Sequence, residues 1–237
     1  MCIRDSMDTK DKTINVMNIP RDTMCNNTAT GASKKINAAY GMDTGGKGGN
    51  IEQTSKEIER LMGFRPDKYV IVNFDGIAAI VDAIGGVDYD VPFDMKYDDP
   101  SQNLHIDLKK GQQHLDGKQT VGFLRWRHNN DYTVQYTNGD EGRVENQQKF
   151  LKALAGQVLQ IKNVTKIRSI AEAVFKNVKT DFSAGELLWM GMQAMQIDNS
   201  SIQFFTLPGY GKMSTAGTSV QYSFFFPYYD QTLELVN

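Results

Sequence analysis

Two short stretches carry the side chains best suited to chemistry. Arg125-Trp126-Arg127 is a compact cationic unit; in an extended chain both arginines point to one side and Trp126 to the other. Gly139-Asp140-Glu141-Gly142-Arg143-Val144-Glu145-Asn146-Gln147-Gln148 opens an amphipathic helix with a glycine-bracketed acidic turn. Arg143 and Gln147 stand four apart there, on one helical face. Arg21 and Lys35, further upstream, are candidates to join these groups on one polyanionic ligand. Arginine offers a planar fork of donors that matches phosphate oxygens two at a time, and it stays charged in any pocket. A pyrophosphate needs several such forks, because its charge must be held while one phosphoryl group leaves. Taken singly, Arg21, Arg125, Arg127 and Arg143 read as ordinary surface arginines. Their places at strand ends and helix starts single them out, since ligands collect at those edges of an α/β sheet. The residues alone yield an anion site and nothing narrower.

Other chemistries find little support. No Ser/His/Asp triad is readable, and His105, His114 and His128 lack metal-ligand spacing. His114 reads as a structural hydrogen-bonding residue in a turn. The segment Gly41–Gly49 holds five glycines but lacks the Gly-Lys-Ser/Thr ending and preceding apolar strand of a phosphate-binding loop. Cys2 and Cys25 match neither a metal site nor a disulfide framework. With Lys+Arg 26 against Asp+Glu 28 the formal charge is −2, which gives no support to a general nucleic-acid or anionic-membrane surface.

The elements that must position these groups follow from periodicity. The 237 residues, 40% hydrophobic and 23% charged, suffice for one large domain or two small ones. Thr13–Ile19 alternates as a half-buried strand ended by Pro20, Ile51–Phe64 has helical spacing with Gly63 near its end, and Tyr69–Phe74 is a β-branched run suited to a strand covered on both faces. A helix over Ile77–Ile84 and a strand over Val87–Val91 follow, then a polar loop from Pro92 to Asn103, a strand over Leu104–Leu108 and a turn over Gly111–Gly117. A short helix at Gln119–Phe123 delivers Arg125 and Arg127, and His128–Gly139 reads as a mobile loop. The longest helix runs from Glu141 to about Ile161, followed by helices at Ile167–Val178 and Ala184–Met195, with Asp181 and Ser183 as capping candidates, and a strand at Ile202–Leu207. No run approaches about 18 uninterrupted apolar residues, so the chain reads as soluble.

The N-terminus stands apart. Met1–Ser6 has no signal-peptide anatomy, and Met7–Lys12 is a turn-like cluster that normally joins two strands. The expectation is that residues 1–6 are a non-native leader and that the hairpin's first strand is missing, leaving 7–237 as the domain.

In order along the chain, Ile19-Pro20-Arg21-Asp22, Lys35-Ile36-Asn37-Ala38-Ala39-Tyr40, Val72-Asn73-Phe74-Asp75-Gly76, Val81-Asp82-Ala83-Ile84-Gly85-Gly86-Val87, His114-Leu115-Asp116-Gly117, Arg125-Trp126-Arg127 and Gly139–Arg143 with Asn146-Gln147 form a specific set. Together they make the chain, from about Met7 onward, resemble the LytR-CpsA-Psr family of cell-envelope phosphotransferases. The resemblance implies a single three-layer α/β/α domain with a central mixed sheet and a hydrophobic pocket between sheet and helices. It implies transfer of a glycopolymer, wall teichoic acid or capsular polysaccharide, from an undecaprenyl-pyrophosphate carrier onto peptidoglycan through a phosphodiester. Arg21, Lys35, Arg125, Arg127, Arg143 and Gln147 would grip the pyrophosphate, and Asp22 and Asp140 would orient those arginines or assist the attacking sugar hydroxyl. Val72, Phe74, Ile77, Ile80, Phe150 and Leu154 are the implied lipid-pocket residues, with core packing as the plainer alternative for each. The family's Mg²⁺ ligands and N-terminal membrane helix would precede Met7, so no metal ligand is carried over. The implied location is the extracytoplasmic side of the cytoplasmic membrane of a Gram-positive cell, with no nucleic-acid partner. A lipid-binding or regulatory protein without turnover, or a pyrophosphatase using water at the same site, remain the alternatives.

Overall fold

A computed structural model describes residues 2–25, 31–41, 50–159 and 164–236. In chain order the elements are β1 (Cys2–Asp8), β2 (Thr13–Ile19), α1 (Ile36–Gly41), α2 (Ile51–Met62), β3 (Val70–Val72), α3 (Phe74–Ile84), β4 (Val87–Val91), β5 (Met95–Asp99), β6 (Leu104–Leu108), β7 (Gly111–Leu115), α4 (Gly117–Arg125), α5 (Gly139–Leu159), α6 (Val164–Asn177), β8 (Val178–Thr180), α7 (Ala184–Ala194), β9 (Ile202–Thr206), β10 (Gly209–Ser214), β11 (Tyr222–Pro227) and α8 (Tyr229–Val236). They divide into two compact units: Met1–Asp67 with Ile202–Asn237, and Lys68–Ser201. Among the described residues, no helix is long and apolar enough to cross a membrane.

In the first unit β2 pairs antiparallel with β1 and parallel with β9, so the sheet is mixed, as expected. The last three residues of β2, Met17 to Ile19, are buried, and Met17 and Ile19 meet Ile36, Ile58, Leu61, Met62 and Leu207 in the core of this unit. α2 begins where the Asn50 side chain accepts from the Gln53 amide and ends at Gly63 in the left-handed region, φ 80°. The backbone of β1 runs in register with β2 from Cys2 opposite Ile19 to Asp8 opposite Thr13, so residues 2–6 pair as a strand beside the Met7–Lys12 turn.

The second unit is built on two antiparallel ribbons, β4 with β7 and β5 with β6. β4 alternates strictly: Val87, Tyr89 and Val91 are buried while Asp88 and Asp90 face out. β7 replaces the turn expected at Gly111–Gly117, and β5 lies inside the segment expected as loop. Neither has a strong apolar signal of its own, so cross-strand pairing decided both. α4 starts at a complete capping box in which Asp116 and Gln119 exchange side-chain and backbone bonds. The core gathers the rings of Tyr89, Phe123 and Phe150, with centroids 5.0, 5.3 and 5.2 Å apart. The β-branched run at residue 69 gives only the three-residue β3, paired with β8, and Val70 and Val72 are exposed. Asn73 ends it early, because its side chain accepts from the Gly76 amide and turns Phe74 into α3.

Candidate anion-binding site

In the first unit the loop after β2 is stitched on both sides. Phe225 N–H donates to the Asp22 carbonyl at 3.0 Å, and Met24 N–H donates to the Phe225 carbonyl at 2.8 Å. From the other side Asn37 N–H reaches the Arg21 carbonyl at 3.2 Å, and Ile36 N–H reaches the Thr23 carbonyl at 2.9 Å. Thr23, buried, closes the turn with its hydroxyl on the Pro20 carbonyl at 2.6 Å. This backbone holds Asp22 between two cations: Oδ1 lies 3.2 Å from Lys35 Nζ and 3.5 Å from Arg21 Nε. That oxygen is buried and makes no aligned hydrogen bond. Lys35 also lies over the Phe224 ring at 5.6 Å. Arg21 remains largely exposed beyond its contact with Asp22.

In the second unit Arg125 and Arg127 flank Trp126, and Arg143 lies beside Tyr136, whose ring packs on Trp126. Arg125 is the last residue of α4, where the negative end of the helix favours a cation. Its Nη2 donates to Gln102 Oε1 at 2.6 Å, and its guanidinium lies 5.4 Å from the centre of the exposed Phe74 ring. Trp126, the C-cap of α4, is buried, while Arg125 still belongs to the helix, so the segment is not extended throughout. The Trp126 indole N–H donates to Asn129 Oδ1 at 3.1 Å, and its ring meets Tyr136 at 5.1 Å and 71°. Arg127 is exposed and has no hydrogen bond or ion pair with any described residue. Arg143 acts on Tyr136 from the first turns of α5. Burial raises the Tyr136 phenol pKa, while the hydrogen bond with Asn146 and the charge of Arg143 pull it back. Asn146 donates to the Tyr136 hydroxyl at 2.8 Å and accepts from Tyr89 at 3.1 Å. Burial likewise pushes the Tyr89 phenol up to about 12.

Gln147 is buried, and its amide donates to the Leu124 carbonyl at 2.9 Å. It ties α5 to the end of α4, immediately before Arg125. The side chain of Asp140, and the whole of residues 42–49 in the glycine segment, lie outside the described residues. Of the implied lipid-pocket set, Val72 and Phe74 are exposed, and Ile77 and Leu154 are partly buried against the core. Ile80 is half-buried, and Phe150 is fully enclosed by core rings. Among the described residues no group of three acidic, His or Cys side chains could hold a metal ion.

The segment 128–138, expected to be mobile, is built around Asn129. Besides Trp126, this buried side chain accepts from Lys96 N–H at 2.7 Å and donates to the Asp94 carbonyl at 3.3 Å. Its own N–H binds the Val134 carbonyl at 2.9 Å, and His128 bridges to Gln135. Asn129, Tyr136 and Gln102 thus position the arginines although sequence reading did not select them. A polar loop following a buried Trp, whose N–H must find an acceptor, was the available signal. Nothing local pointed to Gln102. His114 is structural, as expected: Nδ1 lies 2.7 Å from Asp88 Oδ1 and Nε2 lies 2.8 Å from the Gly85 carbonyl.

Comparison with known proteins adds the following. The LytR_cpsA_psr family pattern matches residues 2–229. A Bacillus subtilis protein named polyisoprenyl-teichoic acid–peptidoglycan teichoic acid transferase TagV is 36% identical over 205 residues, covering 83% of this chain and 49% of that protein. The regulatory protein MsrR of Staphylococcus aureus is 27% identical over 199 residues, covering 83% of this chain and 55% of its own. The chain therefore spans about half the length of these curated relatives. The crystal structure of B. subtilis TagV superposes with a TM-score of 0.76 at 31% identity, covering 99% of this chain and 84% of that one, and shares the mixed α/β fold.

Proposed function

The chain belongs to the LytR-CpsA-Psr family, and from that premise we propose that it transfers a glycopolymer from a polyprenyl-pyrophosphate carrier to a sugar hydroxyl of peptidoglycan. One observation carries the reading: Arg125 lies over the exposed Phe74, which begins α3 next to the exposed β3. A cation beside an uncovered apolar ring suits a ligand that is an anion at one end and a hydrocarbon at the other. Arg127 adds a guanidinium with no partner among the described residues, and Arg143 a third cation in the first turns of α5. Arg21 and Lys35 keep the phosphate-contacting role that the family pattern implies, with Asp22 setting their orientation.

In the reaction the acceptor hydroxyl attacks the phosphorus next to the glycan. A new phosphodiester forms, the bridging P–O bond breaks, polyprenyl phosphate leaves with the electron pair, and the hydroxyl proton is released. The arginines hold the charge that spreads over the phosphoryl oxygens, so their contribution is electrostatic and positional. Magnesium, which the family implies, would supply further charge neutralisation, and no step here is routed through it. The location on the outer face of the cytoplasmic membrane, and the choice between teichoic acid and capsule, belong to the same proposal.

The test is transfer of a polyprenyl-pyrophosphate-linked oligosaccharide to peptidoglycan fragments by the wild-type chain and by Arg125→Ala and Arg127→Ala. The expected loss is about 100-fold or more for each variant, with unchanged circular dichroism. Wild-type rates in both variants refute the assignment. Lipid binding without transfer by the wild type favours a regulatory binder, and release of inorganic or lipid phosphate without an acceptor favours a pyrophosphatase.

A further inference from the structure

The loop that separates the arginine motifs carries an aromatic ladder for which phosphate binding has no use. His128 stacks on Tyr132 with centroids 4.0 Å apart and planes 18° apart, and the same ring meets Tyr97 edge-on at 5.7 Å and 85°. His128 Nδ1 is fixed 2.8 Å from the Asn129 carbonyl. Tyr132 at the outer end is 64% exposed and has φ +58°, a conformation suited to Gly or Asn. Neither common reason for a tyrosine, core burial or strand packing, applies at this position. The turn is nevertheless well held: Tyr132 N–H donates to the Asn129 carbonyl at 3.0 Å, and Asp131 Oδ1 accepts from the Thr133 amide and hydroxyl at 3.1 and 2.8 Å.

A ring supported on one side by His128 and open elsewhere suits a ligand with a flat, weakly apolar face and a polar rim. A pyranose has that shape, with C–H bonds clustered on one face and hydroxyls around the edge. Arg127, where the loop leaves α4, has no partner among the described residues and can serve such a rim. We propose that Tyr132, supported by His128 and Tyr97, is a stacking platform for a pyranose of the acceptor glycan strand. The inference rests on the transfer reading for its choice of the acceptor. The loop starts at Arg127 and ends at the first turn of α5, just before Arg143, so a sugar on it is flanked in the chain by the phosphate-binding residues.

The experiment titrates the chain with a soluble β-1,4-linked N-acetylglucosamine oligomer and follows the ring resonances of Tyr132, His128 and Tyr97. The rings are expected to shift together on binding. Tyr132→Asn, which suits the positive φ, should weaken binding about tenfold, the effect of losing one good aromatic contact. Its melting temperature and its affinity for polyprenyl pyrophosphate should be unchanged. Tyr132→Phe should bind as the wild type does, because the contact uses the ring and not the hydroxyl. Equal binding by wild type and Tyr132→Asn, or no binding by the wild type, overturns the platform and leaves the transfer reading intact. If the wild-type chain instead shows no transfer, the transfer reading fails while the sugar titration still decides the platform. A polyprenyl-linked donor sugar that shifts these rings when the free oligomer does not overturns the acceptor assignment.

Discussion

Asn129→Ala removes the acceptor for two donors, the Trp126 indole N–H at 3.1 Å and the Lys96 amide at 2.7 Å, and a longer bond to the Asp94 carbonyl at 3.3 Å. The indole nitrogen is buried, and leaving it unpaired costs about 1–3 kcal/mol. The Lys96 amide is partly reached by water, so its loss adds about 1 kcal/mol. The expected destabilisation of the second unit is therefore roughly 2–4 kcal/mol. Fluorescence-monitored urea unfolding measures it best in a Trp189→Phe background, because the chain has two tryptophans and Trp189 is already half exposed. Trp126 then reports alone, with a blue emission that shifts red as the loop opens. Asn129→Asp keeps an acceptor for both donors and should lie between wild type and Asn129→Ala. If Asn129→Ala costs less than about 0.5 kcal/mol, Asn129 is not the post that holds the Arg125-Trp126-Arg127 segment.

The remaining expectations concern stability. Gly117→Ala places a methyl against the backbone carbonyl of Ala78, so α4 must move from α3 at a cost of about 1–3 kcal/mol; an unchanged melting temperature refutes that close approach. Phe150→Ala empties a fully buried site between Tyr89 and Phe123 and should cost about 3–5 kcal/mol in chemical denaturation. A small loss would mean that α5 collapses into the space. His114 faces two acceptors, the Asp88 carboxylate and the Gly85 carbonyl, with Asp116 also nearby, and these raise its pKa in that order. A raised folded pKa means that the stabilisation is complete below the unfolded value of about 6.5 and is lost as pH rises through the folded value. The pair is exposed, so the effect is modest. The stability difference between wild type and His114→Gln should shrink from acid toward alkaline pH, and a flat difference contradicts the imidazolium reading.

Periodicity located β2, α2 and the long helices to within a few residues, because each has an uninterrupted pattern and a local stop such as Pro20 or Gly63. It failed at β5 and β7, whose sequences are polar and whose strands exist through partners in β6 and β4. It overran β3, because a single side-chain cap at Asn73 outweighed the β-branched run before it. The arginines were legible by type and spacing. The groups that aim them were not, since Gln102 and Asn129 act through contacts distant in sequence. Gln147 shows the converse: one helical face was read correctly, yet its amide is engaged by the Leu124 carbonyl.

The stitching of residues 22–24 to Phe225 bears on the order in which the protein can be made. Residues 68–201 are continuous, so that unit has all its own parts as soon as it leaves the ribosome. The first unit does not. β2 lies between β1 and β9, and its following loop waits for β11. Until the last segment is synthesised, β2 has an unpaired edge and the Arg21 loop has nothing to close against. The loop that carries Arg21 is thus synthesised before β11 and shaped after it, and a chain stalled before β11 leaves Arg21 and Asp22 with no fixed place.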